Sequence, residues 1–434
     1  MCNDTHEPTD FSKAQIHRHG GVDSNLRPDI LEIIEAKIDE LSSDLRELSL
    51  SIHENPELGF EERHAHDILT GYIEKHGFDV TRHYKLETAW RATYTHGTGG
   101  LTLGINSEMD ALPNIGHACG HNLIAVSGIA MACSVKAVME KYDVSGTIIL
   151  LGTPAEEAGG GKALLLEKGA YEGIDVCVMT HPVSGPPSSA ILISSLARSS
   201  LDVTYNGKPA HAGNAPWEGK NALDAAVLAY TNVSLLRQQL KPDHRVHGII
   251  KGDNWVVNVI PDNAKMEWLI RAPTAAEVES ATERIRNCLE AAAIATGCRA
   301  TFTVPDPAYK ELRNNEPLAK AFDDVYSNQY KFGPTMWIPT PSGASTDFGN
   351  VSFEIPSVHP MFAIPTDPGQ TNHTAGFTRA SSTSEAHTLA LNTCKALACV
   401  GMRVLMDEGF YREVRKSFEK DVELRKGRGR SGRA

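Results

Sequence analysis

The sequence predicts an α/β protein whose sheet domain is interrupted by an inserted α+β unit. Three observations carry that expectation. Short apolar runs bounded by turn residues alternate with stretches of helical periodicity; between residues 194 and 305 the order becomes strand, helix, strand, strand, helix, strand; and the first rhythm then returns. A chain of 434 residues, 41% hydrophobic and 22% charged, has the length for more than one domain and a globular composition, so collagen-like, coiled-coil and wholly disordered readings fall away.

Taken in order, residues 1–28 mix Asn, Asp, Pro, His and Gly without hydrophobic period and are expected to form a disordered extension. Ile30, Leu31, Ile34, Ile38 and Leu41 repeat at helical spacing, and a second helix is expected from near Glu61 to Lys75. Leu101–Ile105, Thr147–Leu151 and Val176–Thr180 read as strands, with helices over Asn122–Lys141 and Lys162–Lys168 between them. The longest apolar stretch, Leu123–Val135, falls short of the roughly 20 residues that cross a bilayer and reads as a buried helix. The insertion resolves into strand Ser199–Tyr205, helix Asn221–Leu240, strands Val246–Lys251 and Lys265–Ile270, helix Ala275–Ala295 and strand Ala300–Val304, the order of a ferredoxin-like unit. Residues 29–193 and 306–424 are therefore expected to form one discontinuous domain around a second at 194–305, and the basic residues of 425–434 a disordered tail.

Against 42 Lys+Arg stand 54 Asp+Glu, a formal charge of −12 that disfavours nucleic acid and anionic lipid as partners. No apolar run follows a basic start at the N-terminus, and Cys2 stands where myristoylation needs Gly, so the expected compartment is cytoplasmic, with no membrane partner. The eight Cys form no dense framework and are expected to be free thiols.

Chemistry concentrates in four places. In Cys119-Gly120-His121 a thiolate and an imidazole flank a Gly that permits a tight bend, a mixed S/N pair suited to a zinc-like ion, although the spacing alone is weak. Glu156-Glu157 follows the apolar run Thr147–Leu151, at the strand edge where open α/β sheets bind ligands. In extended backbone these neighbours point opposite ways, so one carboxylate can bind metal while the other moves protons. His181 follows the strand Val176–Thr180, and His373 follows a Pro/Gly/Asp loop at 365–369; either alone would be unremarkable.

Together these blocks resemble the M20 family of metallopeptidases and amidohydrolases. Pro56–Glu62, Asp110–Pro113, His117–Asn122, Pro154–Glu157, Thr180–Pro182 and His373 follow in the family's order, and Gly116–Ala125 is similar to the branch acting on β-alanyl and basic dipeptides, whose kin include aminobenzoyl-glutamate hydrolases. The resemblance implies an α/β catalytic domain of metallopeptidase type with a ferredoxin-like lid and dimerisation domain. It implies Cys119, His121, Glu157, His181 and His373 as metal ligands, Glu156 as general base and Asp110 in support. It also implies that His211, in Gly207–Gly213, reaches the partner subunit's active site as oxyanion donor.

The implied cofactor is one or two divalent ions, zinc by the softness of Cys and His, with manganese and cobalt compatible. Asn258 and Arg271 are the polar groups expected to hold a substrate carboxylate, and Gly343 and Ser345 belong to a segment similar to the family's Gly/Ser-rich substrate loop. The expected function is hydrolysis of an amide or peptide bond in a dipeptide or N-acyl amino acid, by metal-activated water with a Glu base, in a homodimer. Glu108, where many relatives have His, and Asn122, where others have Asp, are departures from a strictly dizinc pattern. Three alternatives stand beside this reading: Cys119 as nucleophile with His121 as base, an amidohydrolase or amide-forming enzyme of specialised metabolism, and a non-catalytic binding protein.

Overall fold

The computed structural model describes residues 27–431, so the expected N-terminal extension lies outside the described residues except for Arg27 and Pro28, and Pro28 already opens a helix. The chain divides into two compact units, one formed by the residues up to Ser194 with those from Leu312 onward, the other by Ser195–Glu311. The second boundary falls later than the expected 305. Tyr309 and Arg198 exchange backbone hydrogen bonds of 2.9 Å, and Glu311 accepts the Ala275 N–H at 2.8 Å, which ties 306–311 to the inserted unit.

The first unit opens with α1 (Pro28–Glu54), α2 (Arg63–Lys75), β1 (Asp79–Arg82), β2 (Trp90–His96), β3 (Leu101–Glu108), α3 (His121–Tyr142), β4 (Gly146–Thr153), α4 (Gly161–Glu167), β5 (Val176–Val178), β6 (His181–Ser184) and β7 (Ala190–Leu192). On α1 the residues Ile30, Ile34, Ile38, Leu41, Leu45 and Ile52 form one buried stripe, the signature of an amphipathic helix. By contrast α3 is buried on nearly every side, enclosed by α1, β3, β4 and a helix close to the C-terminus. Its start requires glycine: Gly120 has φ +79°, and a Cβ there would meet Pro182 Cγ at 2.5 Å.

In the second unit, β8 (Ala197–Asn206), α5 (Ala222–Leu236), β9 (Arg245–Lys251), β10 (Asn263–Ala272), α6 (Ala275–Thr296) and β11 (Arg299–Thr303) follow the expected order. The strands form one fully antiparallel sheet, β11-β8-β10-β9, the split arrangement of a ferredoxin-like unit. Ala264, Met266, Trp268, Ile270 and Ala272 alternate onto the buried face of β10, as a half-covered strand requires. Asn221 and Thr274 cap α5 and α6 by accepting backbone N–H groups of the first turns.

The first unit resumes with α7 (Glu316–Asp323), β12 (Thr335–Trp337), α8 (Phe348–Glu354), β13 (Ser357–Val358), β14 (Met361–Ile364), α9 (Ala375–Ser381), α10 (Ser384–Met406) and α11 (Glu408–Ser431). Its main sheet has the order β1-β2-β4-β3-β5-β13, with β4, β3, β5 and β13 mutually parallel. The parallel strands therefore end at one edge, the edge at which open α/β sheets bind ligands. A smaller sheet, β12-β7-β14-β6, flanks it in sequence. Both α3 and α10 are long and apolar enough to cross a membrane, but most of each is buried inside the unit.

The expected disordered tail from 425 is instead helical as far as Ser431. Arg425 explains the continuation: its guanidinium donates to Phe353 O at 3.1 and 3.2 Å, lies 4.2 Å from the Phe353 ring centre and pairs with Asp421 at 3.1 Å.

Candidate metal and catalytic centre

The binding edge of the main sheet gathers residues from four separated segments of the first unit. Asp110, Cys119 and His121 follow β3, Glu156 and Glu157 follow β4, and His181 follows β5. His373 arrives from the loop before α9, where its N–H donates to Ala118 O at 2.8 Å and its backbone is left-handed (φ +67°). Cys119 Sγ lies 3.4 Å from His181 Nε2, and Glu157 Oε1 lies 3.2 Å from His373 Nε2. Cys119, His121 and His181 form one trio of donor atoms within 4.8 Å of each other, and Cys119, Glu157 and His373 form a second. Cys119 is common to both, so the geometry accommodates two ions sharing a thiolate.

Hydrogen bonds outside the donor atoms set their direction. His181 Nδ1 sits 2.7 Å from Pro182 O, which places its proton there and turns the Nε2 lone pair toward Cys119. Asp110 does the same for His121, with Oδ1 3.1 Å from Nδ1, while its Oδ2 accepts the Glu157 N–H at 3.0 Å. One supporting carboxylate therefore orients an imidazole and fixes the backbone of a second ligand. Among the described residues none hydrogen-bonds to the fully buried His121 Nε2, which is costly unless a cation takes the lone pair. With a thiolate, three imidazoles and a carboxylate converging, the residues fit a divalent metal ion. The same crowding describes a ligand set better than a nucleophile–base pair at Cys119.

The electrostatics are those of a dry, charged site. Burial alone would raise the Cys119 thiol, but the charge on His181 and contacts with the neighbouring imidazoles hold it well below its ordinary value. Burial, then the Cys119 charge, pushes Glu157 up to about 7. His373 is raised to about 11 by its bonds to Cys119 and Glu157. Glu156 is raised well above the usual carboxylate range by burial and by the charges on Glu108, Glu157 and Asp347.

Behind Glu156 lies a group that local sequence patterns did not reveal. Glu108, Glu156 and Asp347 approach as an acidic trio, and the Lys162 ammonium enters it, 2.6 Å from Glu108 Oε1 and 2.7 Å from Asp347 Oδ1. Glu108 Oε2 also lies 3.4 Å from His121 Nε2, so this carboxylate faces both the imidazole and the lysine. Asn122 has a structural part: its amide donates to Ser49 Oγ at 3.0 Å and Ser381 O at 3.1 Å.

The other expected residues belong to other segments of the chain. Gly343 and Ser345 sit on an exposed to half-buried loop whose base, Asp347, is bound to Lys162. In the second unit, His211 Nδ1 accepts the N–H groups of Gly213 (3.2 Å) and Asn214 (3.1 Å), which leaves the proton on Nε2, and Asn258 Nδ2 lies 3.5 Å from that nitrogen. Arg271 on β10 stands directly opposite Arg198 on one side and Arg245 on the other.

Comparison with known proteins agrees with this geometry. The model of peptidase family M20/M25/M40 matches residues 104–389. A Xaa-Arg dipeptidase of Mus musculus is 41% identical over 399 residues, covering 88% of this chain and 90% of its own. The Homo sapiens Xaa-Arg dipeptidase is 40% identical over 403 residues with the same coverage. Among solved structures, a Bacillus subtilis dinuclear metal binding peptidase of the M20 family superposes with a TM-score of 0.62 at 21% identity, covering 85% of this chain and 99% of that one, and shares the fold.

Proposed function

Because the chain belongs to peptidase family M20/M25/M40, and is with its relatives a metal-dependent hydrolase of peptide or amide bonds, we propose that its substrates are dipeptides with a basic C-terminal residue. The observation that carries the chemistry is the pair of donor trios sharing Cys119, with the buried carboxylate of Glu156 beside them. Similarity to Xaa-Arg dipeptidases over most of both chains supports the substrate class.

Bound divalent ions, which we take to be zinc on the softness of the donors, supply Lewis acidity at the scissile carbonyl and acidify water. Cys119, His121, Glu157, His181 and His373 would hold them. Glu156, whose affinity for a proton is raised by its surroundings, takes the proton of the attacking water and returns it to the leaving amine. Asp110 keeps His121 and the Glu157 backbone in register with that event. The oxyanion donor in this reading is His211, supported by its Nε2–H tautomer. Arg271, with Asn258, Gly343 and Ser345, is read as carboxylate-binding. Arg271 stands opposite Arg198 and Arg245 on the neighbouring strands, and guanidinium groups are suited to binding a carboxylate. A homodimer through the second unit, in the cytoplasm, completes the proposal.

The test is a hydrolysis screen of Xaa-Arg and Xaa-Lys dipeptides against N-acyl amino acids, with and without chelator and with Zn²⁺ or Mn²⁺ restored. We expect chelator-sensitive release of Arg and Lys. Preference for N-acyl amino acids would overturn the substrate class, and cleavage unaffected by chelator would overturn the metal chemistry. Sedimentation of the purified chain as a monomer would remove the dimer.

A further inference from the structure

The segment Pro56–Glu62, to which the hydrolytic machinery assigns nothing, closes on the turn that carries Glu156 and Glu157. Glu62 is fully buried, and its two oxygens are both committed: Oε1 accepts the Ala155 N–H at 2.8 Å and Oε2 the Thr88 hydroxyl at 2.6 Å. Ala155 is left-handed (φ +56°), a conformation an L residue keeps only when its surroundings enforce it. Packing enforces it from the side as well. A Cβ on Gly59 would lie 2.9 Å from Ala155 Cβ, and one on Gly159 would lie 2.4 Å from the Phe60 ring, so both glycines are needed for the two stretches to touch. The segment is itself anchored: Glu57 O accepts the Ala111 N–H at 2.8 Å, and the Glu57 carboxylate accepts the His64 and Ala65 N–H groups at the start of α2.

We propose that Glu62 is a positioning residue whose carboxylate holds the Ala155 peptide in the left-handed turn, so that Glu156 faces the reacting water and Glu157 the metal donors. Nothing in its contacts makes it a catalytic residue, since it touches only backbone and Thr88 through its oxygens. The kinetic consequence rests on the hydrolase reading; the consequence for metal affinity does not.

The test compares Glu62→Ala, Glu62→Gln and Thr88→Val with wild type, reading kcat, KM and the affinity of the metal-free protein for Zn²⁺ by chelator competition. Gln retains an acceptor for the Ala155 N–H. Outer-shell partners typically contribute about 10–100-fold to affinity or activity, so Glu62→Ala is expected to lose that much in kcat and in Zn²⁺ affinity with KM within about threefold. Gln is expected to stay near wild type in both, and Thr88→Val, which frees the carboxylate to rotate, to fall between. Wild-type kcat and affinity in Glu62→Ala would overturn the proposal, as would equal damage from Ala and Gln, which would assign the effect to charge. Should Glu62→Ala not fold, loss in Thr88→Val with retention in Gln supports the proposal and no loss in Thr88→Val overturns it. If wild type cleaves no dipeptide, the substrate reading fails while the Zn²⁺ measurement still decides this one.

Discussion

Lys162 Nζ lies 2.7 Å from Asp347 Oδ1, with both side chains sealed from solvent. Burial alone would lower the lysine, yet Asp347, Glu108 and Glu156 keep it charged, so the protein supplies its own cation to the acidic trio that includes Glu156. Removing one partner of a buried pair costs about 3–5 kcal/mol, and Lys162→Met is expected to lower unfolding free energy by that order in urea titrations. A loss under about 1 kcal/mol, the range of exposed pairs, would show that solvent reaches the cluster.

Glu156→Gln keeps the size of the side chain and removes its capacity to take a proton. Turnover is expected to fall by a factor on the order of 10²–10⁴ while metal content per chain stays at the wild-type level. Near-normal turnover would take Glu156 out of the role of base.

Cys119 belongs to both donor trios and His373 to one. Elemental analysis of Cys119→Ala is therefore expected to show loss of bound metal at both positions, and His373→Ala loss at one. Full metal content in Cys119→Ala would move the site away from this edge of the sheet.

Burial, then the charge on Asp110, raises Glu62 from 4.5 to about 7. The folded protein thus holds this proton more tightly than the unfolded chain. Stability from the protonated form is fully present below the unfolded value of 4.5 and lost as pH rises through about 7. Glu62→Gln has no such loss, so its stability relative to wild type is expected to increase between pH 5 and pH 8 in denaturant titrations. A difference independent of pH would mean that the carboxyl titrates normally.

The sequence carried most of the second unit because its strands alternate cleanly and its helices have capping residues in place; Asn221 and Thr274 are visible before any fold is known. The five candidate ligands were legible only through the order of the motif blocks and the family resemblance that order implies, since each residue alone was unremarkable and His373 and Cys119 are far apart in the chain. Lys162 with Asp347 and Glu108 was not legible. A lysine directly after three glycines looks like a solvated surface group, and the partners lie on other segments, so only the closed fold reveals the pairing. The strand β2 was hidden by Arg91, Thr93 and Thr95 among its apolar positions, and the small sheet by strands of three or four residues. The C-terminal helix was hidden by composition, since the contacts of Arg425 with Phe353 depend on tertiary neighbours.

The enclosure of α3 has a consequence for the making of the protein. This helix is covered partly by α10, which begins at Ser384, whereas α3 ends at Tyr142. At about 5–20 residues per second on the ribosome, roughly 12–50 s pass between completion of the one and emergence of the other. Throughout that interval a 22-residue apolar segment waits beside the translating ribosome with only part of its cover. The growing chain therefore exposes apolar surface that the finished molecule does not, and the yield of active protein should depend on how fast the message between α3 and α10 is read.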